Sequence, residues 1–336
     1  FLTFNRNKRS IAVDVKSKEG KEIVLKLLAE SDVFIENFRS GAMEKLGLGY
    51  NDLKPLNPKL VYCSAKGFLE GPYQDRTALD EVAQMMGGLA YMTGPPGQPL
   101  RAGSSVIDIM GGMFGAIAIL AAIQERQVSG RGQKVTSALF ENVVYLMGQH
   151  MAQTATTGMP TPPMSVRVSA WAVYDIFETK DDEQVFVGVV SDSQWKSFCE
   201  AFELIEFIED KAMDLNANRV AKRDLIIPRI KQLFKQYDKQ DLMEKLEQTG
   251  LPFAPISTPE DLFEDPHLND SGGLLDIDLP QGGQTKLPAL PIQMQGNRFG
   301  VKHQVPKLGE HTREVLQELG FDDVSIDQMI EASLVT

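Results

Sequence analysis

The chain has 336 residues, of which 43% are hydrophobic and 8% aromatic, and its formal net charge is -12. This composition is typical of an ordinary globular protein with a full core, and the length suits two domains or one large one. The excess of acidic residues argues against nucleic acid as a partner.

Cysteine, histidine and apolar patterns exclude several other classes. Cys63 and Cys199 lie far apart in the sequence, and the four histidines show none of the spacings that bind zinc. The longest apolar run, 113–123, is broken by Gly115 and is short for a membrane span. The first residues do not form a secretory signal. We therefore expect a cytoplasmic protein without a metal or a membrane partner; in a eukaryote, the mitochondrial matrix or the peroxisome would also fit.

The first third of the chain alternates strand-like and helical patterns. Strands are predicted at 11–15, 32–35 and 60–64, and helices at 20–30, 41–46, 51–56, 79–89 and 109–127. Short β-rich runs separated by helices indicate a parallel sheet covered on both faces. The pattern predicts an α/β fold with an open, doubly wound, Rossmann-like sheet in a large domain of residues 1–150.

The pattern of predicted elements changes after a Thr- and Pro-rich stretch. We expect a linker at 151–170 and a smaller α+β domain at 171–270. Its predicted elements are a hairpin of 171–178 with 184–190, helices at 192–202, 221–237 and 239–248, an extended piece at 252–256 and a helix that begins at 258–261. Residues 271–336 are predicted to return and pack their closing helices, 309–319 and 325–332, on the large domain.

Asp108 is the most informative single residue. It stands just ahead of the apolar run 116–123, which predicts a carboxylate at the start of a buried helix. There the helix dipole and free N–H groups favour the ionised form, and Gly111, Gly112 and Gly115 allow a ligand to come close. Such a carboxylate suits a nucleophile that attacks an acyl group. The alternative is an N-cap residue of a core helix.

Seven segments extend this local pattern over nearly the whole chain. They are the Asp108 segment and residues 4–11, 36–42, 67–72, 83–88, 130–135 and 308–316. Together and in this order, they resemble the class III coenzyme A transferases, the formyl-CoA and carnitinyl-CoA transferase group.

The resemblance implies an acylated aspartate at Asp108 and an intertwined homodimer. It implies that coenzyme A (CoA) and acyl-CoA are substrates rather than permanently bound cofactors. The CoA contacts that it implies are Val13, Lys16, Asn37, Phe38, Lys45, Leu46 and Leu139. Of these, Lys16 and Lys45 could neutralise phosphates, and Asn37 and Phe38 follow a strand end, where open α/β sheets bind ligands.

The chain departs from the family pattern at several places. Family members begin with an additional β-α segment that carries CoA ligands, and we expect this chain to lack it. Thr77 replaces a basic residue and Leu79 an aromatic one. The glycine-rich flap of the formyl-CoA member is missing, and residues 165–171 occupy its region, so water must be excluded differently.

The chemistry implied is exchange of CoA between carboxylates through aspartyl anhydride and aspartyl-CoA thioester intermediates. We expect backbone N–H groups at the helix start to hold the developing negative charge. Because an arginine can bind a second carboxylate bidentately, Arg101 and Arg167 are candidates for recognising a dicarboxylic donor or acceptor.

Two other functions stay open at this point. A 2-methylacyl-CoA racemase shares the fold but needs an acid–base pair, and Leu79 stands where its histidine is required. A non-catalytic CoA-binding subunit is the second alternative. The carboxylate of Asp108 argues against the non-catalytic subunit.

Overall fold

The computed structural model describes residues 1–167 and 169–336; Val168, in the predicted flap region, lies outside the described residues. The chain forms two compact units: unit 1 contains Phe1–Arg167 and Val301–Thr336, and unit 2 contains the segment between them. The first part of unit 1 consists of α1 Lys18–Glu30, β1 Val33–Glu36, α2 Ala42–Lys45, α3 Tyr50–Leu53, β2 Val61–Lys66, α4 Asp80–Met86, α5 Leu89–Thr93, α6 Val106–Ser129, β3 Lys134–Ala138 and α7 Leu139–Thr157.

A parallel sheet in the order β1-β2-β3 is the centre of unit 1. Alternate residues of β2 point to opposite faces. Tyr62 packs in a cluster with residues of α1, α2 and α3, and Cys63 Sγ lies 3.6 Å from where a Cβ at Gly115 of α6 would be. Helices therefore cover both faces, which confirms the predicted mixed α/β class. The strand β3 and the helix α7 were not among the predicted elements.

A single glycine allows β3 to lie beside β2. A Cβ at Gly132 would stand 2.0 Å from the carbonyl oxygen of Leu60, a distance that no side chain tolerates. The N–H of Gly132 donates to the carbonyl of Pro58, and Tyr62 then pairs with Lys134 in the parallel ladder. The register of the sheet thus depends on this close approach.

Unit 2 is built around an aromatic core. Its elements are β4 Val173–Glu178, β5 Gln184–Val189, α8 Asp192–Ala201, α9 Ile205–Glu209, α10 Asn216–Ala221, α11 Arg223–Phe234, α12 Lys239–Glu247, β6 Phe253–Pro255, α13 Pro266–Asp270, β7 Leu274–Asp278, β8 Gln284–Pro288, β9 Gln293–Met294 and β10 Asn297–Arg298. The predicted hairpin is confirmed as β4–β5, which pairs antiparallel. Phe177, Phe198 and Phe234 are fully buried between these strands and α8 and α11.

Unit 1 resumes after residue 300 with α14 Thr312–Glu318 and α15 Asp323–Glu331. The end of the chain binds residues near its beginning: Asp14 N–H donates to Leu334 O, and Thr336 N–H donates to Ala12 O. The strand predicted at 11–15 is wrong, because these bonds leave a single bridge between Val13 and Val335.

Two further predictions fail at their boundaries. The helix α7 runs through Thr157 and ends at Gly158, which adopts φ 69°, so the first residues predicted as linker are helical. The helix predicted to begin at 258–261 is only a 3-10 turn, Asp261–Phe263. Asp265 precedes Pro266 and is extended (φ -60°, ψ 121°), which ends that turn before α13.

The helix α6 is not the buried helix that its sequence predicts. One side packs on β2 and β3, and Ile107, Gly111, Gly115 and Ala122 are its buried residues. Ile109, Met113, Ile117 and Leu120 form a stripe at helical spacing with 40–66% of their surface exposed. Within the described chain, α6 is the one helix long and apolar enough to cross a membrane by length and composition, a test that core helices also pass.

Candidate active site

A cavity of about 860 Å³ opens at the carboxyl ends of the three parallel strands in unit 1. Its walls come from the ends of β1, β2 and β3 and from the starts of α4 and α6. They are formed by Ile35, Glu36, Asn37, Ala65, Lys66, Gly67, Ala78, Leu79, Asp80, Glu81, Arg101, Asp108, Gly111, Gly112, Ser137 and Leu139. The carboxyl edge of a parallel sheet is where α/β proteins bind ligands.

Asp108 lies in the first turn of α6 and contributes to the cavity wall. It is not the N-cap: that position belongs to Ser105, whose side chain caps nothing. A Cβ at Gly112 would meet nothing within 4 Å, whereas one at Gly111 would come within 3.2 Å of Leu139. Space is therefore open on the helix face next to the carboxylate.

A second carboxylate, Asp80, caps α6 in place of Ser105. Its side chain is 6% exposed, and its Oδ2 accepts hydrogen bonds from the N–H groups of Ile107 (2.9 Å) and Asp108 (3.1 Å). A buried carboxylate held by backbone donors at a helix start is a favourable arrangement. Asp80 thus fixes the backbone that carries Asp108.

Gln84 connects this cap to the segment that carries Arg101. The side chain of Gln84 is fully buried; its amide N donates to Asp80 Oδ1, and its amide O accepts the N–H of Ala102 at 2.8 Å. Both ends of the amide are satisfied, so its orientation is determined. A chain of hydrogen bonds consequently joins Arg101, Asp80 and Asp108 through main-chain and buried side-chain atoms.

The pKa of Asp108 is raised from its ordinary value. Burial is the main cause and the negative charge of Asp80 the second, while the guanidinium of Arg101 opposes them. The sequence argument had favoured the ionised form through free N–H groups at the helix start. That argument is wrong here, because Asp80 has taken the N–H groups of Ile107 and Asp108. For the same reason these two groups cannot serve as the predicted oxyanion donors.

The residues that the sequence suggested for CoA divide into two sets. Asn37 and Leu139 line the cavity, and Phe38, 57% exposed, follows Asn37 directly. Lys16 and Lys45 are exposed and lie outside the cavity wall. Leu46 packs against the hydrophobic cluster that contains Met43 and Tyr62, and Val13 forms a β-bridge with Val335. The structure thus brings two of the seven into the wall beside Asp108.

The two arginines suggested for substrate also differ in position. Arg101 lines the cavity, and its Nη1 lies 2.6 Å from Glu81 Oε1 in a half-exposed ion pair. Arg167 does not line the cavity; its Nη1 lies 3.6 Å from Met164 Sδ. Arg101 is therefore the cation closer to the chemistry that the cavity supports.

A third arginine, Arg76, escaped the sequence analysis. It lies on the loop between β2 and α4, with its guanidinium 4.9 Å from the ring centroid of Tyr73 and 5.9 Å from that of Phe68. In the described part of the chain it forms no ion pair. The two ends of this loop, Gly67 and Ala78, both line the cavity. A single arginine beside two aromatic residues gave no periodic signal in the sequence.

Among the residues that the structure describes, no group of three His, Cys, Asp or Glu side chains is placed to hold a metal ion. His150 lies on a separate groove with Tyr91 and Met151. Leu79 occupies the cavity wall at the position where a racemase of this fold needs a histidine.

Comparison with known proteins places this chain in a family. The sequence profile of CoA-transferase family III matches residues 1–312. The succinate–glutarate CoA-transferase of Agrobacterium fabrum is 34% identical over 94% of this chain and 79% of its own length. The human succinyl-CoA:glutarate CoA-transferase is 30% identical over the whole of this chain and 77% of its own length.

Solved structures agree with the sequence relatives. A CAIB/BAIF family protein from Brucella suis is 33% identical and superimposes with a TM-score of 0.82 over 95% of this chain and 83% of its own. With a profile match over nearly the full length and relatives at 30% identity or more, the resemblance found in the sequence is confirmed. The chain belongs to CoA-transferase family III, and it is an enzyme that transfers CoA from an acyl-CoA donor to a carboxylic acid.

Proposed function

We propose that Asp108 is the nucleophile of this transfer. The observation that carries the proposal is its carboxylate on the cavity wall, on a helix start fixed by Asp80 and next to the open face at Gly112. Covalent catalysis divides one difficult exchange into easier displacements.

Four displacements complete the exchange. The Asp108 carboxylate attacks the donor thioester, giving a mixed anhydride and CoA thiolate; the thiolate then attacks the aspartyl carbonyl and releases the donor acid. The acceptor carboxylate attacks the resulting aspartyl-CoA thioester and forms a second anhydride. The released thiolate takes the acceptor acyl group and regenerates the carboxylate.

Mass spectrometry tests the covalent step. The protein mixed with an acyl-CoA should gain the mass of a CoA thioester at Asp108, and hydroxylamine should convert that residue to a hydroxamate. A protein that binds CoA without ever acquiring the adduct would instead be the non-catalytic CoA-binding subunit. Exchange of the α-proton of a 2-methylacyl-CoA would favour the racemase, which Leu79 in the cavity wall argues against.

We also propose that Asn37 and Leu139 contact the CoA chain inside the cavity and that Val13, Lys16, Phe38, Lys45 and Leu46 bind its outer parts. Arg76 adds a cation for the phosphates, since it is unpaired in the described chain and is held over Tyr73 and Phe68 near the cavity. An unpaired guanidinium in a protein of net charge -12 is a favourable site for an anion.

The proposed acceptor or donor is a dicarboxylic acid. Arg101 on the cavity wall supports this, because its second guanidinium nitrogen could bind the distal carboxylate while the first holds Glu81. Two relatives are named for succinyl and glutarate substrates, both dicarboxylic. Arg167 remains a weaker candidate, since it lies outside the cavity wall.

We propose an intertwined homodimer whose second copy covers the exposed stripe on α6. Four large apolar side chains in one helical row form a patch that a stable interface would bury. Light scattering should report a dimer, and Ile117→Glu with Leu120→Glu should dissociate it. A wild-type monomer at micromolar concentration would contradict the proposal.

We further propose that the parallel sheet is doubly wound. We also propose that the protein works in a reducing compartment such as the cytoplasm, since Cys63 and Cys199 are buried free thiols.

A further inference from the structure

A buried ion pair joins the carboxyl ends of β1 and β2, apart from the Asp80 network. Lys66 Nζ lies 2.8 Å from Glu36 Oε1, with the two side chains 19% and 2% exposed. The hydroxyl of Ser64 also donates to Glu36. Both members of the pair line the cavity.

The same pair holds both polar groups of the Phe38 main chain. Glu36 Oε2 accepts the N–H of Phe38 at 2.8 Å, and Lys66 Nζ donates to the carbonyl of Phe38 at 2.7 Å. Asn37, which lies between Glu36 and Phe38, is thereby held in place on the cavity wall. Within the described chain, the backbone of Asn37 and Phe38 makes no other hydrogen bond, so its conformation depends on the pair.

A second ion pair, between Arg126 of α6 and Asp32, shows what a purely structural link looks like. Just before the starts of β1 and β2, Arg126 donates to the carbonyls of Asp32 and Lys59 and pairs with the Asp32 carboxylate, which is 79% exposed. There the Asp32 carboxylate remains exposed to water. Burying the acid of the Glu36–Lys66 pair is costly, and joining the strands does not require it.

We infer that Glu36 and Lys66 are positioning residues that set the affinity for the CoA thioester by holding the Asn37–Phe38 segment in its binding conformation. The inference rests on the proposed function of the cavity. A segment that is already ordered loses little conformational freedom when a ligand binds, whereas a disordered segment must be ordered at the cost of affinity. Neither residue takes part in the bond-making steps, so we expect their loss to change CoA affinity rather than kcat.

The test is Lys66→Met, which keeps the length of the side chain and removes its charge and donors. Direct calorimetric binding of free CoA should weaken about tenfold, and the KM for acyl-CoA should rise by a similar factor while kcat stays within about twofold. Lys66→Arg should recover most of the affinity. The matched control, Arg126→Met, should lower thermal stability and leave both CoA affinity and KM unchanged.

Two results would overturn the inference: unchanged CoA affinity in folded Lys66→Met, or a fall in kcat at constant KM, which would make Lys66 catalytic. If Lys66→Met does not fold, Glu36→Gln serves instead, because it keeps the volume and an acceptor for the Phe38 N–H; we expect a weakening of about threefold. A wild-type protein that fails to bind CoA at all would instead refute the proposed function, so the two failures are distinguishable.

Discussion

The two units of the protein bury different kinds of side chain. Around the cavity, unit 1 buries Glu36, Ser64, Asp80, Gln84 and Asn142, and the amide nitrogen of Asn142 has no hydrogen-bond partner among the described residues. The core of unit 2 is mainly aromatic and aliphatic, with Arg219 as its buried charge. Buried polar groups cost free energy unless they are paired, whereas apolar burial stabilises directly.

This difference assigns separate roles to the two interiors. The polar network in unit 1 fixes where Asp108, Arg101 and Asn37 stand, so changes there should affect activity more than stability. Changes in the aromatic interior of unit 2 should do the reverse. Four substitutions test whether the two interiors have these separate roles.

The largest effect is expected for Asp108→Asn. A carboxamide cannot form the anhydride, so the transfer rate should fall by about a thousandfold or more. Because folding raises the pKa of Asp108, its ionised form is disfavoured in the folded state, and the contribution of this group to stability declines as pH rises through the folded pKa. The neutral Asn should therefore keep or raise the melting temperature at neutral pH. A variant that retains more than a trace of activity in a coupled assay would refute the nucleophile.

Phe198→Ala tests the other interior. Phe198 is fully buried, and truncating such a ring removes about 3–5 kcal/mol of stability. Both tryptophans, Trp171 and Trp195, lie in unit 2, so the change in their fluorescence on heating reports the unfolding of this unit. Phe263→Ala is the control, since Phe263 is 42% exposed and should lose little. Equal melting curves for the two variants would contradict the division.

Asp80→Asn should act on rate and on pH dependence together. The negative charge of Asp80 raises the pKa of Asp108, so its removal should move the acid limb of kcat/KM to lower pH. A looser cap on α6 should also reduce the rate by up to about 100-fold. Asp52→Asn, which alters a similar cap on α3 outside the cavity, should do neither. An unmoved acid limb in Asp80→Asn would show that Asp80 does not influence the titration.

The smallest effect is expected for Arg101→Gln. The preference for succinate over butyrate as acceptor should fall about tenfold in kcat/KM, because one charge-assisted bond to the distal carboxylate is lost. Arg167→Gln provides the comparison and should change the preference less. If the wild type prefers monocarboxylates and neither variant alters that, the dicarboxylate proposal is wrong.

The sequence predicted the parts of the molecule that depend on local pattern. The hairpin β4–β5, the helix α12 and the strand β2 follow from alternation, helical spacing of apolar residues and a continuous apolar run. The position of Asp108 on a helix start was also predictable, since a carboxylate stands directly before a long apolar stretch.

What the sequence could not predict depends on contacts between distant residues. Asp80 stands 28 positions from Asp108, and nothing in its neighbourhood shows that it caps α6. The pairing of Glu36 with Lys66 needs the register of β1 against β2. The sequence predicted that the exposed stripe on α6 would be buried. An apolar pattern shows that a helix face suits burial, but not whether the same chain covers it.

The hydrogen bonds that join both ends of unit 1 have a consequence for synthesis on the ribosome. Unit 2 is one continuous segment and can fold once its last strand has left the exit tunnel. Unit 1 cannot be completed until α15 and Thr336 emerge, because Val13 is bridged to Val335 and Ala12 binds Thr336. During translation, the unit that carries Asp108 therefore remains partly formed while unit 2 folds, and premature termination would leave unit 2 able to fold but unit 1 incomplete.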